Sequence, residues 1–187
     1  MEKVALSNEQ LDYLASKHPA LHRVYGGAVP SDGLPRRLRT DFPQAFIVNT
    51  DPTGQPGMHW MAIWIEENHC EVFDSFALPL QTYPGVEPFI RWLERHCKNI
   101  ETNDRSVQSV TSDTCGVYAL FYLMLKSEGG SMSQFLSMFK PRDYIANDRV
   151  VGEMLKQLIQ KDSQWKSVCK KPFAQCNRVW SKRNKRV

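Results

Sequence analysis

Residues 115–126 read Cys-Gly-Val-Tyr-Ala-Leu-Phe-Tyr-Leu-Met-Leu-Lys, a nearly continuous apolar stretch. A helix that is apolar on every side is a buried helix, so we expect this segment to pack inside the protein. Ser112, Asp113 or Thr114 can cap its start, and Gly129 follows soon after its end. A cysteine therefore stands at the entrance of a buried helix.

Three short segments before this helix are apolar and rich in β-branched or aromatic residues, which predicts strands at 45–49, 59–65 and 70–74. Turn sequences separate them, so we expect an antiparallel meander. Residues 25–43 are rich in Gly and Pro and predict a loop, whereas 106–110 predict a further strand.

Helical patterns fill most of the remaining chain. A capping sequence opens one at 7–16, and amphipathic patterns predict others at 86–99, 132–139 and 148–160. Because helices and strands cluster rather than alternate, the prediction is an α+β fold. Its central sheet is mixed and mostly antiparallel, with the Cys115 helix buried against it.

Length and composition indicate a soluble globular protein. The chain has 187 residues, of which 42% are hydrophobic and 24% charged, so we expect a single domain over 1–187 and a monomer. No apolar run approaches the roughly 20 residues that span a bilayer, and we expect no membrane association. The N-terminus has no apolar signal core, so the expected location is intracellular.

The cysteines favour a reducing compartment. The chain has five, Cys70, Cys97, Cys115, Cys169 and Cys176, with no Cys-x-x-Cys pair, and their odd number leaves at least one unpaired in a monomer. In such a compartment a cysteine with a histidine elsewhere in the chain is a candidate nucleophile.

The charge of the chain is unevenly distributed. Residues 1–140 carry 12 Lys and Arg against 16 Asp and Glu, whereas 141–187 carry 12 against 4. The basic C-terminal region 141–187 could be a phosphate-binding strip, a nuclear-targeting signal or a solvated tail, and the sequence leaves these three interpretations open.

Four polar residues stand where a structural role alone would not require them. His59 opens an apolar strand, Asp74 closes the next, Gln108 interrupts an apolar segment, and Cys115 begins the buried helix. The helix N-terminus and a nearby histidine favour the cysteine thiolate, which is the nucleophilic form. Asp74 would orient the imidazole, and the Gln108 amide with the Cys115 backbone N–H would bind the developing oxyanion. The sequence therefore predicts a Cys-His-Asp triad with a Gln oxyanion hole and no metal.

Four short segments follow one another along the chain: 45–50, His59-Trp60-Met61-Ala62, Phe73-Asp74-Ser75-Phe76, and Gln108 followed seven residues later by Cys115-Gly116. Their order resembles the adenovirus protease (adenain) family. More distantly it is similar to the SUMO- and ubiquitin-like-specific cysteine proteases of the same clan. The resemblance covers roughly residues 6–130 and departs in one respect, since adenain uses Glu where Asp74 stands. The region after about residue 141 carries no match.

The resemblance implies a cysteine endopeptidase that processes viral precursor proteins at Gly-containing sites, in the virion and the host nucleus. It implies that the chemistry needs no cofactor, with DNA and a short activating peptide as stimulating partners. By its offset from Gln108, Cys97 matches the family cysteine that bonds this peptide. Cys97 could instead pack on the apolar face of the helix at 86–99.

Three other hypotheses remain. Five residues could supply a metal site, but their spacing is not that of zinc ligands: His59, His69, Cys70, His96 and Cys97. A non-catalytic DNA-binding module would explain the basic end but leave the four polar residues without a common purpose. A deubiquitinating or deSUMOylating isopeptidase would use the same residues on host conjugates.

Overall fold

The computed structural model describes residues 5–160 and 162–168. In chain order the helices are α1 (Asn8–Lys17), α2 (Glu87–His96), α3 (Cys115–Ser127), α4 (Met132–Ser137), α5 (Tyr144–Gln160) and α6 (Trp165–Val168). The strands are β1 (Tyr25–Val29), β2 (Gln44–Asn49), β3 (Trp60–Ile65), β4 (His69–Phe73) and β5 (Asn99–Thr102), and two single 3-10 turns lie at Leu21–Arg23 and Leu80–Thr82.

The strands form one sheet in the order β1-β2-β3-β4-β5. The three central strands are the antiparallel meander that the sequence predicts, with β2 paired to β3 and β3 to β4. The two edge strands run parallel to their neighbours, β1 to β2 and β5 to β4. The predicted α+β fold with a mixed sheet is therefore confirmed.

Helices cover both faces of the sheet. Side chains alternate along β3, so Ala62 and Trp64 join the apolar cluster that contains α3, whereas Met61 and Ile63 join the cluster that contains α2. Eight residues of α3 are buried, as its apolar sequence predicts. The sheet thus holds the start of α3 in a fixed place beside the start of β3.

Helix α1 begins as its sequence predicts. The Ser7 side chain accepts the Gln10 backbone N–H, and the Gln10 side chain accepts the Ser7 N–H, which completes a capping box. Helix α3 begins differently, because the Thr114 hydroxyl makes no capping bond and donates instead to Asp148 at 3.1 Å.

Two local predictions are wrong. Residues 25–43, which the sequence predicts as a loop, contain strand β1. A Cβ at Gly26 would lie 2.0 Å from the Phe46 ring, so glycine is needed here for close packing between strands. Residues 106–110 form no strand, and the backbone N–H groups of Val107 and Gln108 both donate to the Ser75 carbonyl. The fifth strand is β5, whose residues are all exposed and show no apolar alternation.

Within the described ranges, no helix combines the length and the apolar character that crossing a bilayer requires. The basic tail that ends the sequence, together with Cys169 and Cys176, lies outside those ranges.

Candidate active site

The ends of two neighbouring strands bring a histidine and an aspartate together. His59 immediately precedes β3 and Asp74 immediately follows β4. Because these strands are antiparallel, the start of β3 and the end of β4 lie side by side at the same end of the strands. The His59 Nε2 and Asp74 Oδ1 atoms are 2.7 Å apart, and the two residues are only 4% and 3% exposed. The structure thus forms a buried, charge-assisted pair.

The Asp74 carboxylate accepts from four donors. Its Oδ1 binds His59 and the Phe76 backbone N–H at 2.9 Å. Its Oδ2 binds the Leu78 N–H at 3.0 Å and the Tyr83 hydroxyl at 2.6 Å. Burial alone would raise the pKa of Asp74, but the hydrogen bond and positive charge of His59, followed by the Tyr83 and Phe76 bonds, lower it. The carboxylate therefore stays ionised.

The His59 imidazole bonds to Asp74 through Nε2, and the partly exposed Cys115 thiol interacts with the same ring. Because Asp74 occupies Nε2, Nδ1 is the ring nitrogen that remains for the Cys115 sulfur. Burial opposes the charged ring, but the hydrogen bonds to Asp74 and Cys115 and their charges outweigh it and raise the pKa of His59 to about 9. The rings of Phe76 and Tyr83 stack on the imidazole, with centroids 4.7 Å and 5.1 Å away.

Cys115 is the first residue of α3, so its backbone N–H has no partner within the helix. The side chain is partly exposed and forms no disulfide. A Cβ on the next residue, Gly116, would lie 3.1 Å from Cδ1 of Trp60 and 3.5 Å from the Leu11 side chain. The glycine therefore lets Trp60 pack closely against the start of the helix beside the thiol.

Gln108 lies in the loop that leads to Cys115 and is 1% exposed. Its Oε1 accepts from the Ser75 hydroxyl at 2.5 Å, and its Nε2 donates to the Ser112 carbonyl at 2.8 Å. The amide carries a second hydrogen on Nε2 that this carbonyl does not use. The Gln108 oxygen is thus held by Ser75, the residue after Asp74. Its nitrogen is held by Ser112, which lies three residues before Cys115.

The structure does not leave Cys97 as a free thiol for an activating peptide. Cys97, which follows α2, forms a disulfide with Cys70 of β4, and their Cα atoms are 5.8 Å apart. The sequence shows no pairing because the two cysteines meet only through the packing of α2 on the sheet. The disulfide also removes two of the five candidate metal ligands, and the described residues contain no cluster of three His, Cys, Asp or Glu that could hold a metal ion.

Three residues that support this site are not identified from the sequence. Tyr83 binds Asp74 from a Pro- and Gly-flanked turn, and Ser75 binds Gln108. Asn103 is 6% exposed, and its side chain accepts the Asp74 N–H at 2.8 Å and donates to the Asp74 carbonyl at 2.7 Å. Of these, only Ser75 carries a local signal, because it directly follows the strand-ending acid.

Comparisons with known proteins agree with the motifs. No protein-family model matches the chain. A cysteine protease of African swine fever virus is 32% identical over 103 residues, which are 49% of this chain and 36% of that protein. The protease of bovine adenovirus 4 is 28% identical over 129 residues, which are 63% of this chain and 63% of that protein. The chain thus covers about a third of the first relative and less than two thirds of the second.

Among solved structures, the African swine fever virus protease aligns with a TM-score of 0.45 at 18% identity, over 79% of this chain and 70% of that chain. Both relatives matched by sequence are named as proteases. The chain is similar to adenain-like viral cysteine proteases, as its motifs imply.

Proposed function

We propose that the chain is a cysteine endopeptidase with a Cys115-His59-Asp74 triad. One observation carries this proposal: a buried imidazole lies between an ionised carboxylate and a partly exposed thiol at a helix N-terminus. That arrangement favours the thiolate-imidazolium pair, which is the form that attacks a peptide carbonyl.

The chemistry then proceeds in two balanced steps. The Cys115 sulfur attacks the carbonyl carbon, the His59 Nδ1 proton passes to the leaving amine, and a thioester remains on the enzyme. In the second step His59 accepts a proton from water as the water oxygen attacks the thioester carbon. The acid product leaves, and the proton stays with the thiolate-imidazolium pair.

Both tetrahedral intermediates carry an oxyanion that needs donors. The Cys115 backbone N–H and the second Nε2 hydrogen of Gln108 would supply them. Supporting this role, the Ser75 hydroxyl binds the amide oxygen and the Ser112 carbonyl binds the amide nitrogen, so the nitrogen lies on the side of Ser112, three residues before the nucleophile in the chain. One such donor is typically worth about 10²–10³ in rate.

The substrates we propose are viral precursor proteins with Gly near the cleaved bond, cleaved in the virion and host nucleus, with a short peptide as an activator. The bond between Cys70 and Cys97 means that this peptide would act without a disulfide to Cys97.

DNA stimulation gains support from a charged cavity as well as from the basic C-terminal region. A cavity of about 210 Å³ is lined by three arginines, Arg36, Arg91 and Arg95, with Asp32 as its acidic residue. Guanidinium groups bind phosphates bidentately, and such contacts weaken as salt rises.

The decisive experiment compares the wild-type chain with the Cys115→Ala variant on Gly-containing peptides, with and without DNA and an activating peptide. The proposal expects cleavage by the wild type alone, with DNA affinity unchanged by the substitution. DNA binding by both proteins with cleavage by neither would support a non-catalytic DNA-binding module instead.

A second candidate function is an isopeptidase acting on ubiquitin-like conjugates. The observation in its favour is a relative from another African swine fever virus isolate, 31% identical over 103 residues, that is named a SUMO-1 cysteine protease. A panel of SUMO, ubiquitin and viral precursor substrates distinguishes the two. Faster turnover of a ubiquitin-like conjugate than of any precursor peptide would favour the isopeptidase.

A further inference from the structure

Helix α5 holds the loop between Gln108 and Cys115 through two consecutive buried polar residues. Asn147 is 2% exposed and Asp148 is 4% exposed, although most of the helix faces solvent. Polar side chains are buried only when hydrogen bonds compensate them, and a carboxylate needs more compensation than an amide. The partners of these two residues therefore indicate what they do.

Asn147 links three backbone groups. Its Oδ1 accepts the Lys140 N–H at 2.9 Å, and its Nδ2 donates to the Lys140 carbonyl at 2.9 Å. The same nitrogen donates to the carbonyl of Val107 at 3.1 Å. Asn147 thus fixes the peptide group immediately before Gln108.

Asp148 holds the other side of Gln108 and the start of α3. Its Oδ2 accepts the Ser109 backbone N–H at 3.2 Å. Its Oδ1 accepts the Thr114 hydroxyl and the Tyr118 hydroxyl, both at 3.1 Å. Tyr118 also lies 3.2 Å from the Val107 carbonyl, but it has one proton and the carboxylate is the stronger acceptor.

These contacts converge on the two oxyanion donors. The backbone on either side of Gln108 is bound by α5, and so is Thr114, whose carbonyl carbon is bonded to the Cys115 nitrogen. Among the residues that the structure describes, the side-chain hydrogen bonds of Asn147 and Asp148 all go to residues 107–118 or to Lys140. One helix therefore sets the distance between the Gln108 amide and the Cys115 N–H.

We propose that Asn147 and Asp148 are positioning residues for the oxyanion hole, an inference that rests on the proposed protease function. They touch neither substrate nor thiol and act through the placement of Gln108 and the first turn of α3. A misplacement of about 1 Å in a catalytic group can cost 10²-fold in rate, so their loss reduces turnover without removing any reacting atom.

The first test is the Asp148→Asn variant, which keeps the side-chain volume but loses the charge and one acceptor atom. We expect kcat to fall about 10- to 100-fold with KM changed little, since the oxyanion forms only after binding. Iodoacetamide alkylation of Cys115 should keep its rate, because that reaction needs the thiolate and no oxyanion hole. Glu153→Gln is the matched control on the same helix, since Glu153 is exposed and bonds to Lys156 at 3.3 Å, away from the loop.

The second test is a double-mutant cycle with Gln108→Ala. Because Asp148 acts partly through Gln108, the double variant should lose less than the sum of the two single losses. Additive losses, an unchanged kcat in folded Asp148→Asn, or an equal fall in the alkylation rate would each overturn the inference. If Asp148→Asn does not fold, Asn147→Ala gives the same comparison through the Val107 contact. A wild type without cleavage overturns the proposed function, whereas an active wild type with an equally active Asp148→Asn overturns this inference alone.

Discussion

Replacing Asp74 with Asn should convert the site from one that works up to about pH 9 into one that works only in acid. The substitution removes the charge next to His59 and keeps an oxygen that can accept the Nε2 proton. Without that charge, the pKa of His59 falls from about 9 toward its ordinary value of 6.5, because only the interaction with Cys115 remains to oppose burial.

The expected size follows from the fraction of His59 that stays protonated. At pH 8 a group with a pKa of about 9 is roughly 90% charged, and one near 6.5 is about 3% charged. Activity should therefore fall by up to about 30-fold at pH 8 and by less than about twofold at pH 6 from this cause alone. The same difference in pKa corresponds to about 3 kcal/mol in the interaction that favours the imidazolium.

The free energy of unfolding should also depend on pH through the ionisation of His59 and Asp74. The contribution of His59 is complete below its unfolded pKa of 6.5 and disappears as the pH rises through about 9. The pKa of Asp74 is lowered in the folded protein, so its contribution is complete above 3.8 and is lost as the pH falls through the folded value. Asp74→Asn should cost most stability between about pH 4 and pH 6.5, and less as the pH rises toward 9.

The assay is the pH profile of kcat/KM on one Gly-containing peptide, with urea unfolding at pH 6 and pH 8. Asp104→Asn is the matched control, because Asp104 is exposed and lies one residue beyond the Asn103 that holds Asp74. A loss in Asp74→Asn that is equal at pH 6 and pH 8 would refute the argument, since the imidazole charge would then not limit the reaction.

Three further variants test other parts of the site. Gln108→Ala should lower kcat by about 10²–10³ with an unchanged circular dichroism spectrum, and an unchanged kcat would remove Gln108 from the oxyanion hole. Tyr83→Phe removes one of the four donors to Asp74 but keeps the ring stacked on His59. Urea unfolding should show a loss of about 1–3 kcal/mol in the free energy of unfolding, and no loss would mean that the Tyr83 hydrogen bond contributes nothing. Cys70→Ser with Cys97→Ser opens a cross-link between residues 27 apart and should lower the free energy of unfolding by about 3–4 kcal/mol, whereas equal stability of the two proteins would contradict the disulfide.

The sequence predicts the central meander and the buried helix because their patterns are strong and local. Apolar strands with clear turns between them specify β2, β3 and β4. An apolar helix that begins with Cys115 must be buried in the core. Polar residues at the ends of these elements could therefore be grouped from the sequence. In the structure, His59 and Asp74 are paired at 2.7 Å, and Cys115 interacts with the same imidazole.

The remaining features depend on tertiary contacts that leave no local pattern. Strand β1 contains two adjacent glycines, which disfavour strands in isolation, and it forms because Gly26 fits under the Phe46 ring. The pairing of Cys70 with Cys97 arises only when α2 packs on the sheet. Asn103 and Asp148 have no signal in the sequence, since their importance lies in partners 29 to 39 residues away.

The claim that His59 activates Cys115 is tested most directly by the rate of iodoacetamide labelling of Cys115 as a function of pH, measured by peptide mapping in the wild type and in His59→Ala. The account predicts rapid labelling at neutral pH in the wild type and much slower labelling at that pH in the variant, because the imidazolium favours the thiolate. Identical profiles in the two proteins, both rising with pH as an ordinary thiol does, would contradict it.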